Sequence, residues 1–297
     1  MATSKKTFFF GEDHLKARLA LEIAKGNIKG QISAKARKRI RASYQAVAQI
    51  VEEGKAVYGI NTGFGPLCTT KISKSETKIL QSNILQSHSV GVGPPVETDI
   101  AKLMLILKVH SLAKGYSGIA EATLDRIVWH INNDAIPVVP SQGSVGASGD
   151  LAPLSHLFLP LIGLGKVRYV KKVISTAQLY KIYGLKPLEL GPKEGLALIN
   201  GTQFIAAHAV KVLDRMKACL DQADIIGAMM IEGLQGSVKP FFEELHQLRP
   251  FKGNIHVAAR IRFLLEGSEI MEDHIDCEKV QDPYSLRCIP QVHGASR

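Results

Sequence analysis

Cysteine is scarce and scattered in this chain. The four present, Cys68, Cys219, Cys277 and Cys288, form no Cys-x-x-Cys pair. Zinc and dithiol redox motifs are therefore unsupported, and reduced thiols in a cytosolic, cytoplasmic setting are the simplest account. No apolar run reaches about 18 residues, so the sequence offers no transmembrane helix and no membrane partner. The charged start is followed by Phe8-Phe9-Phe10 and then at once by Gly11-Glu12-Asp13. That apolar stretch is too short for a signal-peptide core. Aromatics make up 6% of the chain, with a single tryptophan, and no recognised nucleic-acid module accompanies them. Internal repeats and low-complexity tracts are also missing.

What remains is ample material for a core. The chain has 297 residues, 45% of them apolar, which allows one or two domains. The formal net charge is +10, but the basic residues are spread out. One dense cluster, Lys35, Arg37, Lys38, Arg39 and Arg41, lies on a segment whose apolar residues Ile40, Tyr44, Val47 and Val51 recur at helical spacing. We read the cluster as the solvated face of an amphipathic helix, and nucleic-acid binding as unsupported. The net charge would also steer carboxylate substrates weakly towards the protein.

Most segments read as helix. Residues 34–53 run from an N-cap at Ser33 to a stop at Gly54. Ser73 to Glu76 reads as a capping box that opens a helix towards His88. Residues 97–114 and 119–132 give two more helices. A short strand is expected at 167–170, and 201–232 gives one long, largely apolar helix of the kind buried in bundles. The expected fold is mainly α: an N-terminal globular part, 1–197, leading into a long-helix bundle, 198–297, that is truncated.

The most informative string is Ser144-Val145-Gly146-Ala147-Ser148-Gly149-Asp150-Leu151-Ala152-Pro153. On composition alone it is a glycine-rich surface loop. Its Ala147-Ser148-Gly149 core has a second reading. The amide nitrogen of Gly149 can attack the Ala147 carbonyl, since a residue without a side chain lets the backbone bend that tightly. Dehydration of Ser148 then leaves a methylidene. The product is a conjugated imidazolone, an electrophile that unmodified side chains do not provide.

Three other strings and a lone histidine accompany it. Tyr58-Gly59-Ile60-Asn61-Thr62-Gly63-Phe64-Gly65-Pro66 is an ordered loop around two aromatics; taken alone it reads as structural. His88, in Ser87-His88-Ser89-Val90-Gly91, would by itself be a capping or packing histidine. Asn200, before Gly201-Thr202-Gln203, could cap the long helix. In Gln281-Asp282-Pro283-Tyr284-Ser285-Leu286-Arg287, a helical turn would bring Gln281, Tyr284 and Arg287 to one face. Arg287 suits a substrate carboxylate, and its alternative role is a surface ion pair.

Together the four strings resemble the histidine/phenylalanine/tyrosine ammonia-lyase family, over about Leu15 to Arg297. The resemblance implies a methylidene-imidazolone, made autocatalytically from Ala147, Ser148 and Gly149, with no diffusible cofactor and no metal. It makes Tyr58 the base for the substrate's β-proton, a task for which a phenol needs tuning by its surroundings. It assigns Tyr284 to forming or polarising the imidazolone, and His88, Asn200, Gln281 and Arg287 to substrate binding. His88 with the Gln281–Tyr284 string points to members acting on L-histidine, which release ammonia and trans-urocanate in histidine catabolism. Tyrosine lyases or aminomutases of the family are the alternative. The resemblance also implies a homotetramer whose active sites draw on several subunits. The family's chains are much longer, and a glutamate that completes their site has no counterpart here. The chain therefore reads as an N-terminal fragment with exposed apolar surface. A non-catalytic fragment that only associates with partners is the rival from another class.

Overall fold

Apolar periodicity becomes helix almost wherever it occurs. The computed structural model describes residues 6–54, 56–63, 72, 74–274 and 279–297. Ser73 of the expected capping box, Phe64 to Pro66, Cys68 and Cys277 lie outside the described residues. The chain is mainly α, as expected.

Strands β1 (Thr7–Phe9) and β2 (Lys29–Gln31) pair in parallel around helix α1 (Ala17–Ala24). Helix α2 (Ala34–Glu53) starts where expected: Ser33 Oγ accepts from the Ala36 N–H at 3.0 Å, and Gly54 ends it at φ 70°. Only glycine adopts that left-handed cap freely. Helix α3 (Lys74–His88) leads into β3 (Val92–Pro95), followed by α4 (Thr98–Leu112) and α5 (Glu121–Asn132). After β4 (Ile136–Pro137), β5 (Pro140–Gln142) returns antiparallel to β3. Helix α6 (Leu151–Phe158) precedes the hairpin β6 (Lys166–Tyr169) and β7 (Lys172–Ser175), which extends from β4. Helices α7 (Thr176–Tyr183), α8 (Glu194–Ile199) and α9 (Gln203–Gly233) complete the first part.

Contacts divide the chain into two compact units, the first ending at Lys211 and the second spanning Val212–Arg297, so the division falls inside α9. In the first unit α4 is the axis. Ile100, Leu103, Met104, Leu105, Ile106 and Val109 are all buried, on every side of the helix. A helix apolar all round has no solvent face to offer and sits in the middle. Two lysines, Lys102 and Lys108, are buried on it as well.

The second unit contains the rest of α9, α10 (Glu243–Gln247), α11 (Lys252–Leu264), α12 (Glu269–Asp273), α13 (Tyr284–Arg287) and α14 (Ile289–Ser296). Its core gathers Ile231, Phe241, Val257, Ala258 and Ile261. Buried Asp224 receives Arg297 Nη2 at 2.5 Å and the His293 ring at 2.9 Å.

Two features go beyond what the sequence alone shows. The basic cluster of α2 faces solvent and is also paired. Arg37 holds Asp125 through two hydrogen bonds, at 2.6 and 3.0 Å, and Arg41 reaches Glu121 at 2.9 Å. The acidic partners on α5 explain why the charges lie there. The long helix carries apolar surface that stays uncovered, in line with the exposed apolar surface expected from the sequence. Val212, Leu213, Met216, Ile225, Ile226 and Met229 remain exposed, because no described residue packs over that side. No helix among the described residues is long and apolar enough to cross a membrane.

Candidate active site

The Ala147-Ser148-Gly149 loop is built between two fixed ends. At its start, β5 pairs with β3, the strand that follows the His88 segment. The Gly91 N–H donates to His156 Nε2 at 3.0 Å. An accepting Nε2 is an unprotonated one, and burial pushes the His156 pKa down, in keeping with a neutral ring. At the loop's far end Gly149 forms a parallel bridge with Gly201. Ala147 and Ser148 stand exposed between these anchors.

Gly149 has no alternative at its position. Its φ is 102°, and a Cβ there would come within 2.5 Å of Gly201 O and 2.8 Å of Gly201 N. Backbone thus presses directly on backbone, which only glycine permits. Ser148 is exposed, Gly149 is bare and Gly146 turns at φ 68°. These residues fit the ring closure that the sequence implies.

Asp150 fastens the far end, and the sequence reading had assigned it no role. It is fully buried. Its N–H donates to Gly201 O at 2.7 Å. Oδ2 accepts from the Phe204 and Ile205 N–H groups at 2.9 and 3.1 Å, and Oδ1 accepts from Ser144 Oγ at 2.7 Å. Asp150 is also the residue before α6. The carboxylate therefore serves the N-terminus of α9, where the helix dipole favours negative charge, and makes no side-chain hydrogen bond to α6. The expected capping of α9 by Asn200 is thereby corrected. Its free N–H groups are satisfied from 54 residues upstream, beyond the reach of any local capping rule. Asn200 instead ends α8, and its carbonyl accepts from Lys108 Nζ at 2.5 Å.

His88 occupies the last turn of α3. Its Nδ1 lies 3.0 Å from Ile84 O and from Ser87 Oγ. A carbonyl only accepts, so Nδ1 carries a proton in its bond to Ile84 O. Tyr58 lies in the turn at 58–60, with 55% of its surface exposed. The same loop is tied by Asn61 Oδ1, which accepts from the Val57 N–H at 2.8 Å. Tyr58, His88, Asn200 and residues 147–149 all belong to the first unit.

Gln281, Tyr284 and Arg287 belong to the second unit and are brought together there. The guanidinium of Arg287 stacks 4.5 Å from the centre of the Tyr284 ring. Its Nε donates to Asp282 O at 2.8 Å. With the Gln281 amide oxygen turned towards it, Arg287 donates to that oxygen from Nη1 at 2.5 Å and Nη2 at 3.1 Å. The helical turn covers only Tyr284–Arg287; Gln281 joins from the extended stretch before Pro283. The three side chains are thus linked by stacking and hydrogen bonding, not by a shared helix face. Gln281 and Arg287 line an open cleft of about 560 Å³ together with Lys239, Arg249 and Asp282, in which the cations outnumber the one acid, a setting suited to a carboxylate. Of the five guanidinium N–H groups, three are used by Asp282 and Gln281, so one remains on each Nη.

No group of three or more metal-ligating side chains occurs among the described residues. Comparison with known proteins places these features in context. Residues 15–297 match the family model described as aromatic amino acid lyase. Histidine ammonia-lyase of Myxococcus xanthus is 45% identical over 99% of this chain and 58% of its own length. The human histidine ammonia-lyase is 45% identical over 95% of this chain and 44% of its own. Among solved structures, histidine ammonia-lyase from Trypanosoma cruzi superposes with a TM-score of 0.86 at 36% identity, covering 98% of this chain and 54% of that one. Tyrosine aminomutase from Streptomyces globisporus gives a TM-score of 0.87 at 34% identity, over 98% of this chain and 58% of that one. The chain spans about half the length of the curated relatives it matches. With that match running across all four strings and both units, the chain belongs to the aromatic amino acid lyase family.

Proposed function

We propose that the protein of which this chain is at least a part eliminates ammonia from L-histidine to give trans-urocanate. The observation that carries the reading is the anchored loop: exposed Ser148 beside a Gly149 that Gly201 and Asp150 hold in a fold only glycine adopts. In this reading Ala147, Ser148 and Gly149 become the methylidene-imidazolone, with no diffusible cofactor. The group supplies an electrophile that draws electrons from the substrate when ammonium must leave.

The chain's own residues do the rest. Arg287 binds the substrate carboxylate with its remaining N–H groups, or takes it bidentately when Gln281 yields the end of the guanidinium. Tyr58 Oη takes the β-proton. Tyr284, stacked on Arg287, is the residue that the family resemblance assigns to forming or polarising the imidazolone. His88 offers Nε2 as acceptor to the N–H of an imidazole ring, which a phenylalanine side chain lacks. Asn200 orients the amino-acid end. Orientation of this kind contributes roughly 7–11 kcal/mol in favourable cases. Relatives named histidine ammonia-lyase at 45% identity support the substrate. A homotetramer in the cytoplasm completes the proposal, and the exposed apolar side of α9 supports assembly.

The tyrosine aminomutase likeness favours a second reading, an enzyme of the same family acting on tyrosine. An intact mass separates the first step from the rest. Loss of two waters, about 36 Da, mapped to the peptide containing residues 147–149, is expected. Urocanate absorbance on adding L-histidine, set against L-tyrosine, then distinguishes the substrates. An unmodified mass would refute the electrophile in this chain.

A further inference from the structure

Lys108 is a buried charged residue of the first unit that neither core packing nor the proposed chemistry uses. It is 2% exposed in the middle of the apolar helix α4. Burial pushes its amine down to about 7. A buried amine is expensive, and an apolar side chain there would serve stability alone better. Its one hydrogen bond among the described residues goes to Asn200 O, at 2.5 Å.

That carbonyl belongs to the Asn200–Gly201 peptide plane. The N–H of the same plane lies at Gly201 N, one of the atoms that a Cβ on Gly149 would strike. Gly201 also bridges Gly149 and accepts from the Asp150 N–H. A bond that fixes this plane fixes the wall behind the loop.

We propose that Lys108 is a positioning residue for loop cyclisation: by holding the Asn200 carbonyl it sets the Asn200–Gly201 peptide against which Gly149 is pressed towards Ala147. This rests on reading residues 147–149 as the imidazolone precursor. The covalent step balances without any co-reactant. The Gly149 nitrogen bonds to the Ala147 carbonyl carbon. That carbon's oxygen leaves as water with the hydrogens of the Gly149 and Ser148 nitrogens, which closes the ring with a C=N bond. Ser148 Oγ then leaves as a second water with the Cα hydrogen, giving the methylidene. No atom changes partners with an outside oxidant or reductant, and Lys108 exchanges no atom in either step.

The test compares wild type, Lys108→Met and Lys108→Arg by intact mass, peptide mapping and urea unfolding. Lys108→Met keeps the length and removes the donor. It is expected to fold at least as stably as wild type yet to cyclise about tenfold less, the effect of one lost hydrogen bond to a buried group. Lys108→Arg restores a donor and is expected to restore the mass loss. A lysine with a merely structural role would move stability and cyclisation together. Lys108→Met that loses both waters to the wild-type extent overturns the proposal. Should that variant not fold, Lys108→Gln, too short to reach, replaces it and is judged by the same two outcomes. Wild type at its encoded mass would instead sink the precursor reading beneath the proposal.

Discussion

Replacing Asp150 with alanine tests the central physical claim, that one carboxylate closes both the loop and the long helix. Three donors lose their acceptor: the Phe204 and Ile205 N–H groups and Ser144 Oγ. Loss of an N-cap costs about 1 kcal/mol, and each donor left buried without a partner costs about 1–3 kcal/mol. Ile205 is exposed, so water can take over at that N–H and the terms do not simply add. The sum comes to about 2–4 kcal/mol for Asp150→Ala. Asp150→Asn keeps one acceptor oxygen but turns an N–H₂ towards one set of donors, for about half that loss. Ser144→Ala removes a single bond and costs about 1 kcal/mol. Urea unfolding followed by far-UV circular dichroism reads all three as shifts of the midpoint at unchanged slope. Asp150→Ala lying within about 0.5 kcal/mol of wild type, the range of an ordinary surface change, would refute the clamp.

Gly149→Ala places a Cβ 2.5 Å from Gly201 O at a φ of 102°; the chain should keep its encoded mass, and mass spectrometry checks this. Lys108 gives a pH signature. Its folded pKa, about 7, lies below the ordinary lysine value of 10.5. Between those two values the unfolded chain binds the extra proton, so stability should rise with pH there. Urea midpoints at several pH values should show that rise in wild type and lose its Lys108 part in Lys108→Met. His130, pushed by burial to about 4 from 6.5, has the same sign in a more acid window: stability falls as pH drops from 6.5 towards 4, and His130→Gln should flatten that fall in acid titrations followed by circular dichroism. His88→Leu should lower turnover of L-histidine far more than that of L-phenylalanine; equal effects in a two-substrate assay would remove His88 from ring recognition. Arg287→Lys loses the planar fork and should raise KM about tenfold or more in urocanate kinetics.

Much of this was legible in the sequence because the signals were local. Ser33 and Gly54 bracket α2 at the residues that capping chemistry selects. The β6 strand and the long α9 also fall close to where periodicity places them. The misses share one cause, pairing across long stretches of chain. Asp150 is displayed in the most informative string, but nothing near it reveals that its partners are Phe204 and Ile205. The acids that occupy Arg37 and Arg41 lie on another helix, so a cluster read from one segment looked solvated. Lys108 interrupts an apolar run, which marks it as unusual, while its acceptor is 92 residues away. Gln281 missed its expected helix because Pro283 begins the turn after it, and the link to Arg287 runs through side chains.

The reach from Asp150 to the start of α9 has a consequence in time. The clamp closes only once the chain 54 positions downstream is in place. On the proposed reading, ring closure would expel two waters and would not be undone by later unfolding. Each chain that carries the ring therefore keeps a permanent chemical record that this region once reached its native arrangement. The modified fraction in a preparation, measured even after full denaturation, counts the chains that folded there at least once. On that reading, the protein would write its own folding history into its mass.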